Sequence, residues 1–127
     1  MQKEIFGTVI HGFGKGKDLG FPTINIKLIN SNLHIDKGVY VVKVNIHNQS
    51  LNGMLYVGTR PTFDLTEITV EIHLLDYHEN LYDRQVGFKI LQKIRDEIHF
   101  ENAEQLIKQL HHDKEMVYKY FQNLETF

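Results

Sequence analysis

The nine residues GVYVVKVNI, positions 38–46, set Tyr40, Val42, Val44 and Ile46 on one side of an extended chain. Lys43 and Asn45 fall on the other side, with Val39 and Val41 leading in. Side chains alternate across a strand with period two, so this pattern predicts a half-buried β-strand. Asn48, Gln49 and Ser50 then form a polar turn into LNGMLYVG, positions 51–58, which reads as a second strand. Two such runs joined by a short polar segment predict a hairpin.

The same period recurs to either side. In ITVEIHLL, Ile68, Val70, Ile72 and Leu74 share one face, while Thr69, Glu71 and His73 share the other. In QVGFKILQKI, Val86, Phe88, Ile90 and Ile94 repeat at period two, with Gln92 as an exception. Phe6, Thr8 and Ile10 suggest a strand over 4–10, and another is expected at about Thr23 to Lys27. The last quarter changes period. Asn102 can cap a helix, with Gln105 three residues on as in a capping box. Ala103, Leu106, Ile107, Leu110, Val117, Tyr120, Phe121 and Leu124 then recur at helical spacing. Glu104–Lys108 and Glu115–Lys119 are i,i+4 pairs, each worth about 0.2–0.5 kcal/mol. Short strands followed by one long amphipathic helix predict a small antiparallel barrel with the helix packed on its outside.

Composition bounds the function. The 127 residues suit one domain and one core. A net charge of −2 argues against a general nucleic-acid binder, which carries a strongly basic face. With no cysteine, no disulfide or thiolate metal site can form. The N-terminal MQKEIFGTVI lacks the apolar core of a signal peptide. No apolar run approaches the roughly 20 residues of a membrane span. The chain reads as soluble and cytoplasmic, with no membrane partner.

The segment HGFGKGKDLGFPTIN, 11–25, joins a flexible basic loop to a stiff end. Gly12, Gly14, Gly16 and Gly20 match neither G-x-x-x-x-G-K-[ST] nor G-x-G-x-x-G. Glycines nevertheless let backbone N–H groups approach phosphate, and Lys15 and Lys17 add charge on flexible stems. On composition alone a solvated surface loop fits slightly better, since glycine marks loops more often than sites. Pro22 fixes its own φ and pushes Phe21 toward extended geometry. Thr23 and Asn25 then share a face, where a hydroxyl and an amide oxygen suit Mg²⁺. The same two residues could instead serve turn hydrogen bonds. Glu71, opposite the apolar stripe, is either solvated or, if its face lines a cleft, a general base.

Taken together, these residues resemble the riboflavin kinase (flavokinase) family. The likeness runs in order through Gly7-Thr8-Val9, Gly12 to Gly20, Phe21-Pro22-Thr23-Ile24-Asn25, Gly38-Val39-Tyr40 and Gly58-Thr59-Arg60-Pro61-Thr62-Phe63. It continues through Glu71-Ile72-His73, Leu81-Tyr82, Ile94-Arg95-Asp96-Glu97 and Phe100-Glu101-Asn102, so it spans nearly the whole chain. The resemblance implies a six-stranded antiparallel Greek-key barrel with a long C-terminal helix. It implies transfer of the ATP γ-phosphate to the 5′-hydroxyl of riboflavin, giving FMN and ADP. Thr23 and Asn25 would hold Mg²⁺ against the phosphates, Gly12 and Lys17 would contact ATP, and Tyr82 would lie near the nucleotide. Glu71 would take the hydroxyl proton, and Arg95 and Phe100 would sit near the flavin. The family domain also occurs beside an FMN adenylyltransferase domain in a longer chain. Three positions depart from the family's habit: Ile24 for alanine, Thr59 for asparagine and Asp83 for glycine.

The eight histidines show no H-x-H and no H-E-x-x-H, which argues against zinc. His111 and His112 are expected on the exposed part of the helix, and Tyr118, Tyr120 and Phe121 against the barrel. Two other functions compete: a flavin- or nucleotide-binding regulatory module of the same fold without turnover, and a nucleic-acid-binding small barrel, which would want interleaved basic and aromatic residues and which the acidic balance disfavours.

Overall fold

The computed structural model describes residues 3–10, 21–30, 33–61, 66–77, 81 and 83–125. Six strands precede one helix: β1 (Ile5–Ile10), β2 (Ile24–Leu28), β3 (Gly38–Ile46), β4 (Gln49–Pro61), β5 (Thr66–Leu74), β6 (Gln85–Asp96) and α1 (Ala103–Glu125). The strands close into an antiparallel barrel in the order β1-β2-β5-β4-β3-β6, with β6 pairing back onto β1.

Alternation decides what fills the barrel. Val42, Val44, Leu55, Val57, Ile72 and Phe88 point inward and are fully buried. Truncating a residue such as Phe88 to alanine would cost about 3–5 kcal/mol, since a cavity would remain. The opposite parity forms a second layer. Val39, Val41, Met54 and Leu75 face outward and pack under Val117 and Phe121 of α1. Strand β3 is therefore buried on both faces at its N-terminal end, where the sequence suggested one.

α1 starts as its sequence predicts. The Asn102 side-chain oxygen accepts the Gln105 N–H at 2.9 Å, and the Gln105 side chain reaches back to the Glu101 N–H at 3.4 Å. These bonds satisfy backbone donors that a helix N-terminus leaves open. Tyr120 and Phe121 pack on the barrel as expected, but Tyr118 is 38% exposed and turns toward Asp76.

Three details differ from the sequence reading. Ile46 pairs with Gln49, so the β3–β4 turn consists of His47 and Asn48 alone. Both have positive φ, 51° and 64°, the geometry whose twist matches a two-residue hairpin. Ile94 leaves the barrel interior, because β6 slips register against β3 between Val39/Tyr40 and between Val41/Val42. Each slip inserts one residue and turns the strand over, which carries Leu91 and Ile94 to the helix side. Ile68, at the start of the β5 stripe, is 53% exposed.

The barrel is unevenly stitched. β3 and β4 pair along nine positions, whereas β2 and β5 pair only at Ile24↔Ile72 and Asn25↔Glu71. Where β2 and β5 part, a cavity of about 560 Å³ opens, with Asn25, Ile26, Thr69 and Val70 in its wall. Among the described residues no helix is long and apolar enough to cross a membrane.

Candidate active site

Pro22 leaves Thr23 at the threshold of β2, with Asn25 two residues on. The Thr23 hydroxyl donates to the Glu71 carboxylate at 2.9 Å, and Asn25 stands directly across the ladder from Glu71. The three residues therefore meet, although 48 positions separate Thr23 from Glu71 in the chain. A hydroxyl keeps its lone pairs free while it donates, so Thr23 can hold Glu71 and still offer oxygen to a cation. The Asn25 carboxamide has no hydrogen-bond partner among the described residues and lines the cavity beside the seam. A hydroxyl, an amide oxygen and a carboxylate form an all-oxygen set, the chemistry Mg²⁺ prefers. No three His, Cys, Asp or Glu side chains cluster among the described residues. A cation here would be held by few protein groups and by its ligand's own oxygens.

The platform under Thr23 is fixed by residues whose part in the site was not legible in the sequence. His73, two residues beyond Glu71 on the same face, donates through Nδ1 to the Pro22 carbonyl at 2.7 Å. Phe21 is buried, its ring 5.6 Å from that of His73 and 4.8 Å from that of His111 on α1. His111 is thus exposed, as expected, yet one of its edges seals Phe21. The strand-plus-helix framework in this way holds the Pro22–Thr23 peptide from beneath.

Arg95 lies at the other end of the same face. Its Nε donates to both Asp113 carboxylate oxygens, at 2.9 and 3.1 Å, and its Nη2 to Oδ2 at 2.8 Å. Asp113 is fully buried on α1 and also accepts the Gln109 amide at 2.8 Å. The guanidinium carbon stands 5.9 Å from the centre of the Phe100 ring, close enough for cation–π attraction. Gly38 lets the start of β3 pair closely with β6 beside Arg95. Its φ is +153°, and a Cβ there would strike the Arg95 carbonyl.

The register joins the two ends. Asn25 pairs with Glu71, Glu71 with Tyr56, Tyr56 with Val39, and Val39 with Arg95. Directly opposed residues share a face, so one row on five strands carries all five side chains to the outer face of the barrel. Three ladder steps separate Glu71 from Arg95, about 14 Å at the usual spacing between strands. Alternation alone could not reveal this row, because it depends on register across four strand pairs.

Gly12, Lys17 and Tyr82, the remaining nucleotide-contact expectations, lie outside the described residues, as does the whole glycine-rich segment 11–20. Asp83 adopts the left-handed conformation, φ 66°, and its N–H bonds the Val9 carbonyl at 2.9 Å. That explains why a glycine is the easy choice at this turn.

The protein is thus a closed six-stranded antiparallel barrel with one outer helix, carrying Thr23 and Glu71 hydrogen-bonded on its outer face and Arg95 paired with the buried Asp113 of α1. The family model for riboflavin kinase matches residues 2–121, and the chain belongs to that family. The chain is 39% identical over 119 residues to a bifunctional riboflavin kinase/FMN adenylyltransferase of Haemophilus influenzae, covering 93% of this chain and 38% of the relative. It is 34% identical over 123 residues to the bifunctional enzyme of Bacillus subtilis, covering 94% and 39%. The RNA-binding riboflavin kinase RibR of the same bacterium is 38% identical over 120 residues, covering 93% and 51%. A crystal structure described as a macrolide-efflux protein from Streptococcus pneumoniae superposes with a TM-score of 0.83 at 35% identity, covering 91% of this chain and 38% of that one. The chain spans about two-fifths of the length of its bifunctional relatives.

Proposed function

We propose that this chain, read as a single domain over 1–127, transfers the γ-phosphate of ATP to the 5′-hydroxyl of riboflavin. The observation that carries the reading is the meeting of Thr23, Asn25 and Glu71 at one end of a row that ends in Arg95 and Phe100. A five-carbon chain of about 1.5 Å bonds spans roughly 6 Å when extended. The carbon chain then runs from Glu71 past Tyr56, and the ring lies toward Phe100 at the edge of α1, which covers Val39 in the middle of the row.

Phosphoryl transfer needs positioning and charge neutralisation more than covalent chemistry. Thr23 and Asn25 supply the oxygens for Mg²⁺, which when bound neutralises charge on the phosphate oxygens. Glu71 accepts the 5′-hydroxyl proton as that oxygen bonds to the γ-phosphorus and the bond to the β-phosphate oxygen breaks, releasing ADP. The hydrogen bond from Thr23 keeps the carboxylate aimed along the row. Lys17, Gly12 and Tyr82 complete the nucleotide contacts in this reading. Phe100 and Arg95 hold the ring.

A flavin-binding module without turnover has less support, since the carboxylate and its oxygen neighbours are all retained. RNA binding belongs to the relative that bears that name; a net charge of −2 disfavours it here. The test is incubation with riboflavin and MgATP, with FMN separated by chromatography. Folded protein that forms no FMN would refute the reading.

A further inference from the structure

We infer that Tyr56 is a substrate-recognition residue: its phenol hydroxyl hydrogen-bonds the hydroxylated carbon chain of the flavin. The inference deepens the kinase reading above and rests on it. Tyr56 stands one ladder step from Glu71 and two from Arg95, on the same outward face. A substrate with its terminal hydroxyl at Glu71 and its ring toward Arg95 and Phe100 runs its carbon chain past this position, within reach of the phenol.

The pose of the ring is built in. Tyr56 packs on the Val39–Met54 layer, and its Cε1 lies 2.5 Å from where a Cβ on Gly58 would sit. Glu97 Oε2 lies 2.8 Å from the same point, and that oxygen accepts the Thr59 N–H at 3.0 Å. Gly58 therefore makes room for the ring, and Glu97 flanks it. Burial, and then the negative charge of Glu97, raise the phenol pKa, so the hydroxyl stays protonated and able to donate. It has no hydrogen-bond partner among the described residues. A half-buried phenol oriented by packing yet without a partner is a donor held ready for a ligand.

Packing alone would also explain a tyrosine here, and Tyr56→Phe separates the two roles because it keeps the ring and removes the hydroxyl. Riboflavin, and lumiflavin with a methyl group in place of the ribityl chain, are titrated into wild-type and variant protein with MgADP present. Quenching of flavin fluorescence reads the affinity. The variant is expected to bind riboflavin roughly fivefold to tenfold more weakly, the worth of one hydrogen bond, with lumiflavin affinity and melting temperature unchanged. Unchanged riboflavin affinity, or equal losses for both flavins, would overturn the assignment. Wild-type protein that takes up neither flavin would overturn the kinase reading itself.

Discussion

Replacing Asp113 by alanine strands the Arg95 guanidinium. Its side chain is only 11% exposed, and three of its four hydrogen bonds go to Asp113. After the substitution only the bond to the Asp96 carbonyl, 3.1 Å, is left. Removing one partner of a buried pair costs about 3–5 kcal/mol, because the surviving charge stays desolvated. Whole domains are stable by about 5–15 kcal/mol, so this is a large fraction. For a chain of this size each kcal/mol moves the melting temperature by roughly 3–5 °C. Asp113→Ala should therefore melt about 10–20 °C below wild type by circular dichroism. The double variant Arg95→Met/Asp113→Leu removes both charges and fills the volume, and should recover most of that loss. A single variant that melts within about 3 °C of wild type refutes the reasoning. So does a double variant no better than the single, which would trace the loss to helix packing instead of an unpaired charge.

Glu71→Gln should lower FMN formation by about 10²–10⁴-fold, the usual worth of a general base, with melting unchanged; a loss smaller than tenfold would remove Glu71 from the chemistry. Asn25→Ala should leave stability alone, since its carboxamide has no partner among the described residues. It should still weaken Mg²⁺-dependent ATP binding by about tenfold, or 1.4 kcal/mol, as read by calorimetry with and without Mg²⁺. Asp83→Gly relieves a left-handed backbone at φ 66° and should stabilise by up to about 1 kcal/mol, strain relief outweighing the added freedom of the unfolded chain; a lower melting temperature would contradict this. Tyr40, Tyr56 and Tyr118 all have phenol pKa values raised chiefly by burial. The folded protein holds these protons more tightly than the unfolded chain. That contribution is whole below the ordinary phenol range and is lost as pH rises through the raised values. Urea midpoints should therefore fall above about pH 10, in step with phenolate absorbance, and a flat profile would contradict the burial.

The strands were legible wherever one face was apolar, and the helix wherever its cap and period agreed. The meeting of Thr23, Asn25 and Glu71 was half legible: parity put Thr23 and Asn25 on one face and Glu71 opposite its apolar stripe, and the family resemblance supplied their partnership. The β6 slips were not legible, because Leu91 and Ile94 are as apolar as an interior stripe and only pairing with β3 shows where the strand turns over. The His47–Asn48 turn escaped notice because neither residue is glycine. Asp113 reads as an ordinary polar helix residue until Arg95, 18 positions earlier, comes under it. Tyr56 and His73 escaped for the same reason, since long-range register and the cover of Phe21 give them their surroundings.

The seam between β2 and β5 has a thermodynamic consequence. The cylinder is closed at its weakest joint by the same residues that would grip the reactants. A ligand that clasps Thr23, Asn25 and Glu71 together acts as a cross-brace on that joint. Part of its binding free energy then appears as resistance to unzipping, and protection of the Asn25 and Glu71 amides against hydrogen exchange should climb with ligand concentration in proportion to RT ln(1 + [L]/Kd).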